Sequence, residues 1–233
     1  MQIIARIRND FPTKFGLPRQ SGLVPELVST IVFEPEFRVP EALRGIEAYS
    51  HLWIIWGFHQ AVREGEDQAW RPTVRPPRLG GNTRMGVFAT RSPFRPNPLG
   101  LTVVKLLGVE DTPEGKVLLV SGADMMDGTP VYDIKPYLPY VDSIPEANGG
   151  FTEEKAAYHL EVRFPPELLT QVPAHQREAL LGVLAQDPRP AYQKDEQRVY
   201  GFAYADMDVR FTVSGGVLTV AEIIKEESTN EHY

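Results

Sequence analysis

His51-Leu52-Trp53-Ile54-Ile55-Trp56-Gly57-Phe58 is the stretch that decides the fold. It is apolar at odd and even positions alike, so a strand made from it is expected to be central and buried on both sides. Around it, short apolar runs alternate with clusters of proline and glycine. The chain holds 21 Pro and 19 Gly among 233 residues, and punctuation of that density suits β-structure with many turns better than a helical bundle. Working outward, residues 2–8 and 27–33 read as strands on either side of a loop at 11–25. Pro40-Glu41-Ala42-Leu43-Arg44-Gly45-Ile46 reads as a short helix with proline at its start. Residues 70–81 read as irregular and residues 85–89 as a short strand. Residues 101–109 and 116–121 are rich in Val and Leu and predict a hairpin about a turn at 110–115. Residues 130–134 predict one more strand. Strands at this spacing with few helices imply an antiparallel barrel or sandwich.

The character changes near residue 145. Ile144-Pro145-Glu146-Ala147-Asn148-Gly149-Gly150 reads as a linker. A strand at 157–164, a helix at 166–186 and a meander at 198–204, 208–213 and 217–224 follow. Residues 1–145 and 151–226 are therefore expected to be two domains, the second a small α+β unit, with a polar, frayed tail at 222–233.

Much chemistry is excluded. Without cysteine there are no disulfides, thiolate nucleophiles or Cys-based zinc sites. No G-x-G-x-x-G opens a helix after a strand, and neither a Walker lysine motif nor a G-x-S-x-G elbow is present. His51 and His59 share a strand face but would lie ~26 Å apart, too far for one metal, so no metal site is expected. No run approaches the ~18 apolar residues of a membrane helix, and the first residues lack a signal-peptide pattern. The expectation is a cytoplasmic protein.

Charge is distributed unevenly. The chain carries a net −7, yet residues 68–109 contain no Asp or Glu. That window holds Arg71, Arg75, Arg78, Arg84, Arg91, Arg95 and Lys105, which leaves −14 for the remainder. An acid-free, arginine-rich window in an acidic protein predicts a positive surface for an anionic partner.

Four segments pack glycine, proline and polar residues tightly at strand ends: Phe15 to Gly22, Phe58-His59-Gln60, Val87 to Leu101, and Asp124 to Tyr137. Loops held on a rigid barrel are where sites are usually built. Gln20 and Gln60 have amides that can bond an adenine edge or a ribose. Asp124, Asp127 and Asp133 can face a positive centre such as a sulfonium.

These segments resemble the TsaA-like family, in particular its bacterial TrmO proteins. The resemblance is carried by Pro18-Arg19-Gln20, Ser50-His51-Leu52-Trp53, Phe58-His59-Gln60, the run from Trp70 to Gly81, the run from Ala89 to Leu101, Asp127-Gly128-Thr129-Pro130, and Asp133-Ile134-Lys135-Pro136-Tyr137. Asp187-Pro188-Arg189-Pro190-Ala191-Tyr192 resembles the family's C-terminal motif. The resemblance implies a compact antiparallel β-barrel that binds S-adenosyl-L-methionine. It also implies a homodimer with cofactor sites near the subunit interface, and methylation of the exocyclic nitrogen of N6-threonylcarbamoyladenosine beside the anticodon of tRNA. The cofactor contacts it implies are Pro18, Arg19, Gln20, His59, Gln60, Arg91, Leu101 and the turn Asp127, Gly128, Thr129 and Pro130.

The acceptor nitrogen of such a substrate is a poor nucleophile until its proton leaves. A base and a cation that stabilises the deprotonated form would help. Asp133 and Lys135 suit those roles and would share a strand face; His59 is a second base candidate. Arg71, Arg75 and Arg78 are expected to contact phosphates, and Arg95 or Lys135 the threonyl carboxylate. A non-catalytic RNA-binding barrel and a methyltransferase for another nucleoside remain alternatives on the sequence.

Overall fold

The computed structural model describes residues 1–59, 70–76, 79, 82–155, 158–189 and 195–225. In chain order the strands are β1 Ala5–Arg8, β2 Val28–Phe33, β3 His51–Gly57, β4 Thr73–Val74, β5 Met85–Gly86, β6 Leu99–Thr112, β7 Gly115–Ser121, β8 Pro130–Pro136, β9 Glu161–Arg163, β10 Tyr200–Tyr204, β11 Met207–Ser214 and β12 Val217–Lys225. The helices are α1 Pro139–Asp142, α2 Pro166–Leu169 and α3 Arg177–Ala185, with several short 3-10 turns between. The protein is mainly β.

Six strands pair in the cyclic order β1-β2-β7-β6-β3-β8, every contact antiparallel, and close on themselves. The closure explains how β3 differs from expectation. Leu52, Ile54 and Trp56 point inward and are buried, whereas Trp53 and Ile55 on the outer face are only half-buried. A strand in a closed ring turns one face to the core, and its other face is covered only if something else packs there. Inside, Ile7, Ile31, Leu118, Val120, Val104 and Val131 meet the β3 residues in one apolar core. Gly100 is needed for that packing, because a Cβ there would run into the Trp56 ring.

Several elements depart from the sequence reading. Only Pro113 and Glu114 separate β6 from β7, so the hairpin turn is tighter than 110–115 and β6 is 14 residues long. The stretch at 85–89 divides into β5 and a 3-10 turn over Val87–Ala89. β5 pairs with β4, which lies inside the stretch expected to be irregular. The helix expected at 166–186 is broken into α2, a 3-10 turn over Ala174–Gln176, and α3. Pro173 lacks an N–H and disfavours the helical conformation at Val172, which is sufficient cause. β12 reaches Lys225, so residues 222–225 belong to a strand instead of a tail.

The second sheet has the order β10-β11-β12-β9, with β9 parallel to β12. α3 turns Ala179, Leu180, Val183 and Leu184 into its core. That core also takes in Phe11, Val24 and Leu27, which belong to the loop joining β1 to β2. Phe11 meets Tyr204 edge to face at 5.3 Å. The Ala205 N–H donates to the Asp10 carbonyl at 2.7 Å. Gly16, at φ +81°, lies so close to the Phe202 ring that no side chain fits. A loop that begins and ends in the barrel is thereby packed as part of the second unit.

Candidate functional site at the loop end of the barrel

In the antiparallel ring, the connections 9–27, 58–98 and 122–129 all leave from one end, while 34–50 and 113–114 lie at the other. Phe15 to Gly22, Phe58-His59, the part of Val87 to Leu101 that precedes β6, and Asp124 to Thr129 therefore lie in connections at one mouth. Barrel strands supply rigid anchor points, and the loops supply the polar groups.

A buried polar chain rises to this mouth. Trp56 Nε1 donates to Thr102 Oγ1 at 2.9 Å, and Thr102 Oγ1 donates to Asp124 Oδ1 at 2.7 Å. Burial raises the Asp124 pKa above the usual carboxylate range; the Thr102 hydrogen bond, nearby backbone at Asp124 and Ser21, and the charge of Arg91 oppose that shift without cancelling it. Arg91 Nη1 donates to Gln20 Oε1 at 2.6 Å, and Gln20 Nε2 donates to the Arg19 carbonyl at 2.5 Å. Arg19, Gln20 and Arg91 are thus brought together, with Pro18 buried beneath them. Thr102 and Trp56 were not singled out from sequence, although a threonine at an inward position of an apolar strand is a signal for such a chain.

Arg19 also donates from Nη2 to the carbonyl of Arg189 at 3.2 Å. Arg189 grips Asp187 with two parallel hydrogen bonds of 2.8 and 2.9 Å. Burial pushes the Asp187 pKa up, but the hydrogen bonds and charge of Arg189 outweigh it and leave the carboxyl below its usual range. The first part of the C-terminal motif therefore abuts the Pro18-Arg19-Gln20 loop.

The turn Asp127–Pro130 is clamped onto β1. Gly128 N–H donates to the Ile7 carbonyl at 2.8 Å, and Ile7 N–H donates to the Thr129 carbonyl at 3.0 Å. Asp127 Oδ1 accepts from the Asn9 backbone N–H at 3.1 Å, and Arg8 lies 3.5 Å from its other oxygen. Arg6 donates to the Gly128 carbonyl at 3.3 Å. His59 lies on the lip nearby; partial burial of its ring, and then the charge of Arg6, lower its pKa and favour neutral imidazole. Gln60 lies outside the described residues.

Leu101, Asp133 and Lys135 are elsewhere. Ile55 pairs with Leu101 on one side and Asp133 on the other, so these three stand abreast on the outer face of the ring. Leu101 is 57% exposed. Asp133 Oδ2 and Lys135 Nζ form an exposed ion pair at 2.8 Å, and neither lines the mouth.

Beside the mouth opens a broad cleft of ≈ 2070 Å³. Lys14, Arg19, Arg71, Arg75, Arg84, Arg91 and Arg95 line it, and no Asp or Glu does so among the described residues. Arg95 is half-buried and spends Nη1 on the Thr90 and Ser92 carbonyls at 3.0 and 3.4 Å, which ties down its own loop. Arg78 lies outside the described residues. Among those described, no group of three or more His, Asp or Glu could hold a metal, and no helix is long and apolar enough to cross a membrane.

Fold and cleft together define a small β-barrel protein whose polar loops gather at one end beside an arginine-lined cleft. Comparison with known proteins makes the class specific. Residues 6–143 match the tRNA-methyltransferase O N-terminal domain and residues 157–226 the TrmO C-terminal domain. The chain belongs to the tRNA-methyltransferase O family. A tRNA (adenine(37)-N6)-methyltransferase of Escherichia coli K12 is 45% identical over 219 residues, spanning 91% of this chain and 92% of that one. A Pseudomonas aeruginosa relative whose name places it among S-adenosylmethionine-dependent methyltransferases is 45% identical over 216 residues, 89% of this chain and 90% of its own. The crystal structure of TrmO from P. aeruginosa superposes with a TM-score of 0.76 at 35% identity, covering 96% of this chain and 95% of that one.

Proposed function

We propose that the chain is a cytoplasmic, S-adenosylmethionine-dependent tRNA methyltransferase. It acts on the exocyclic nitrogen of adenosine 37, in the form of N6-threonylcarbamoyladenosine. The observation that carries the reading is the cleft: a family member with net charge −7 gathers seven cations and no acid, among the described residues, beside the loops that bear the family's motifs.

The residues present fit the cofactor by donor chemistry. The Gln20 amide suits an adenine edge, a guanidinium at Arg19 or Arg91 suits the methionyl carboxylate, and the Asp124 and Asp127 carboxylates suit a cationic centre. When bound, the cofactor supplies a methyl group on a sulfonium. The chain's task is to hold the nitrogen in line with it and exclude water. Neutral His59 accepts a hydrogen bond without adding positive charge next to a cation.

In this reading residues 1–145 form the family's catalytic β-barrel and residues 151–226 the small C-terminal domain. The barrel works as a homodimer. What supports the dimer is the outer face around Ile55: Leu101, Val103 and Trp53 make an incompletely covered apolar sheet surface beside Asp133 and Lys135. Asp133 as base and Lys135 as cation then act where a partner subunit meets that face. Arg71, Arg75 and Arg78 take phosphates.

Two measurements test the reading together. Calorimetry should detect S-adenosylmethionine binding to the purified chain. Mass spectrometry of tRNA nucleosides should show methylated threonylcarbamoyladenosine in cells with the gene and none in a deletion strain. Absence of cofactor binding would leave a non-catalytic RNA-binding barrel. Cofactor binding with no change in that nucleoside would mean another substrate.

A further inference from the structure

Two aromatic rings in the cleft have no role in the chemistry above. Trp70 and Phe88 stack on each other with centroids 6.0 Å apart and planes 28° apart. They flank the small β4–β5 ladder, and the Val87 N–H donates to the Pro72 carbonyl at 2.9 Å, which holds the two segments side by side. Despite that fixed position, Trp70 is 48% exposed and Phe88 71% exposed. A third ring, Phe94, lines the same cleft at 60% exposure.

Large rings displayed together on a surface mark an interaction site. Here they share a cleft with guanidinium groups and no carboxylate among the described residues. Rings take the faces of nucleobases and guanidiniums take phosphates, so the combination fits single-stranded nucleic acid. A duplex keeps its base faces stacked inside and offers nothing to such a shelf. A second copy of the chain is the poorer occupant, since a two-fold contact through this cleft would set cations against cations.

We propose that Trp70 and Phe88 form a stacking shelf for an unpaired RNA base, the neighbour of the adenosine that is methylated. This rests on the tRNA reading above. The shelf holds the flanking nucleotide out of the loop stack while the target base enters the barrel mouth, and so contributes to choosing loops over helices.

The test uses the full chain and an anticodon stem-loop RNA that carries N6-threonylcarbamoyladenosine at position 37. The double variant Trp70→Ala/Phe88→Ala should bind the RNA about ten- to a hundredfold more weakly, the range for loss of a stacked base. Its cofactor affinity by calorimetry should be unchanged. Its log–log salt slope should also be unchanged, because no phosphate contact is removed. Trp70→Phe/Phe88→Tyr should bind like the parent. Equal binding by parent and double-alanine variant overturns the shelf, as does a double variant that loses self-association but keeps RNA affinity. If the parent binds the cofactor but no stem-loop, the tRNA reading itself fails and the shelf with it.

Discussion

Asp124 is the residue whose position says most about the mouth. Its carboxylate closes the chain from Trp56 through Thr102 and lies near Arg91. Burial raises its pKa. Above that raised value the folded protein carries a charge that its surroundings disfavour. Between the raised value and the ordinary one, the folded chain holds a proton that the unfolded chain does not. Wild-type stability therefore rises as pH falls through the raised value and levels off below the ordinary one. Asp124→Asn keeps an acceptor for Thr102 and removes the charge. In urea titrations it should be at least as stable as wild type at pH 7, with the wild type gaining on it as pH falls. Its cofactor affinity should drop about tenfold, the scale of one charge-assisted hydrogen bond. A variant that is less stable at pH 7, with a gap independent of pH, would contradict this account.

At the scale of elements, Gly100 shows how strand packing sets the site. The Trp56 ring occupies the space that a side chain at Gly100 would need, and the same indole anchors Thr102. Gly100→Ala should destabilise the barrel by about 1–3 kcal/mol, the cost of overpacking, and shift the emission of the buried Trp56. An unchanged denaturation midpoint would show that the ring can move aside. The strands themselves were legible where a short apolar run lies between turn residues: β2, β7 and β11 begin and end within a residue or two of the expected limits. The placing of polar, glycine- and proline-rich segments at strand ends was legible too; that three connections meet at one mouth depends on ring closure. The face of Asp133 was not legible. A register shift between Ile55 and Trp56 puts both Val131, which points inward, and Asp133, which points outward, on positions that simple alternation would assign to one face. A bulge of this kind reverses a face through one extra residue, and Tyr132 does not announce it. Asp124 was noticed for its charge alone; its place beside Arg91 depends on ring closure.

Across the whole molecule, two opposed charge distributions share one chain. The chain carries net −7, while the cleft is lined by seven cations and no Asp or Glu among the described residues. Binding to tRNA should weaken steeply with salt. Arg71→Gln/Arg75→Gln should flatten the log–log slope by about 1.5, from roughly 0.7–0.9 per phosphate contact removed. An unchanged slope would move the phosphate contacts elsewhere.

The loop at 9–27 begins and ends in the barrel, yet Phe11, Val24 and Leu27 pack with Phe202, Tyr204, Phe211 and Ile223. Those partners are separated from the loop by most of the polypeptide. As the ribosome releases the chain, the six ring strands emerge well before β10, β11 and β12. The segment bearing Arg19 and Gln20 has no floor to rest on until the final strand is out. A nascent barrel can close early, but the loop that bears Arg19 and Gln20 gains its packing only once β10, β11 and β12 have emerged.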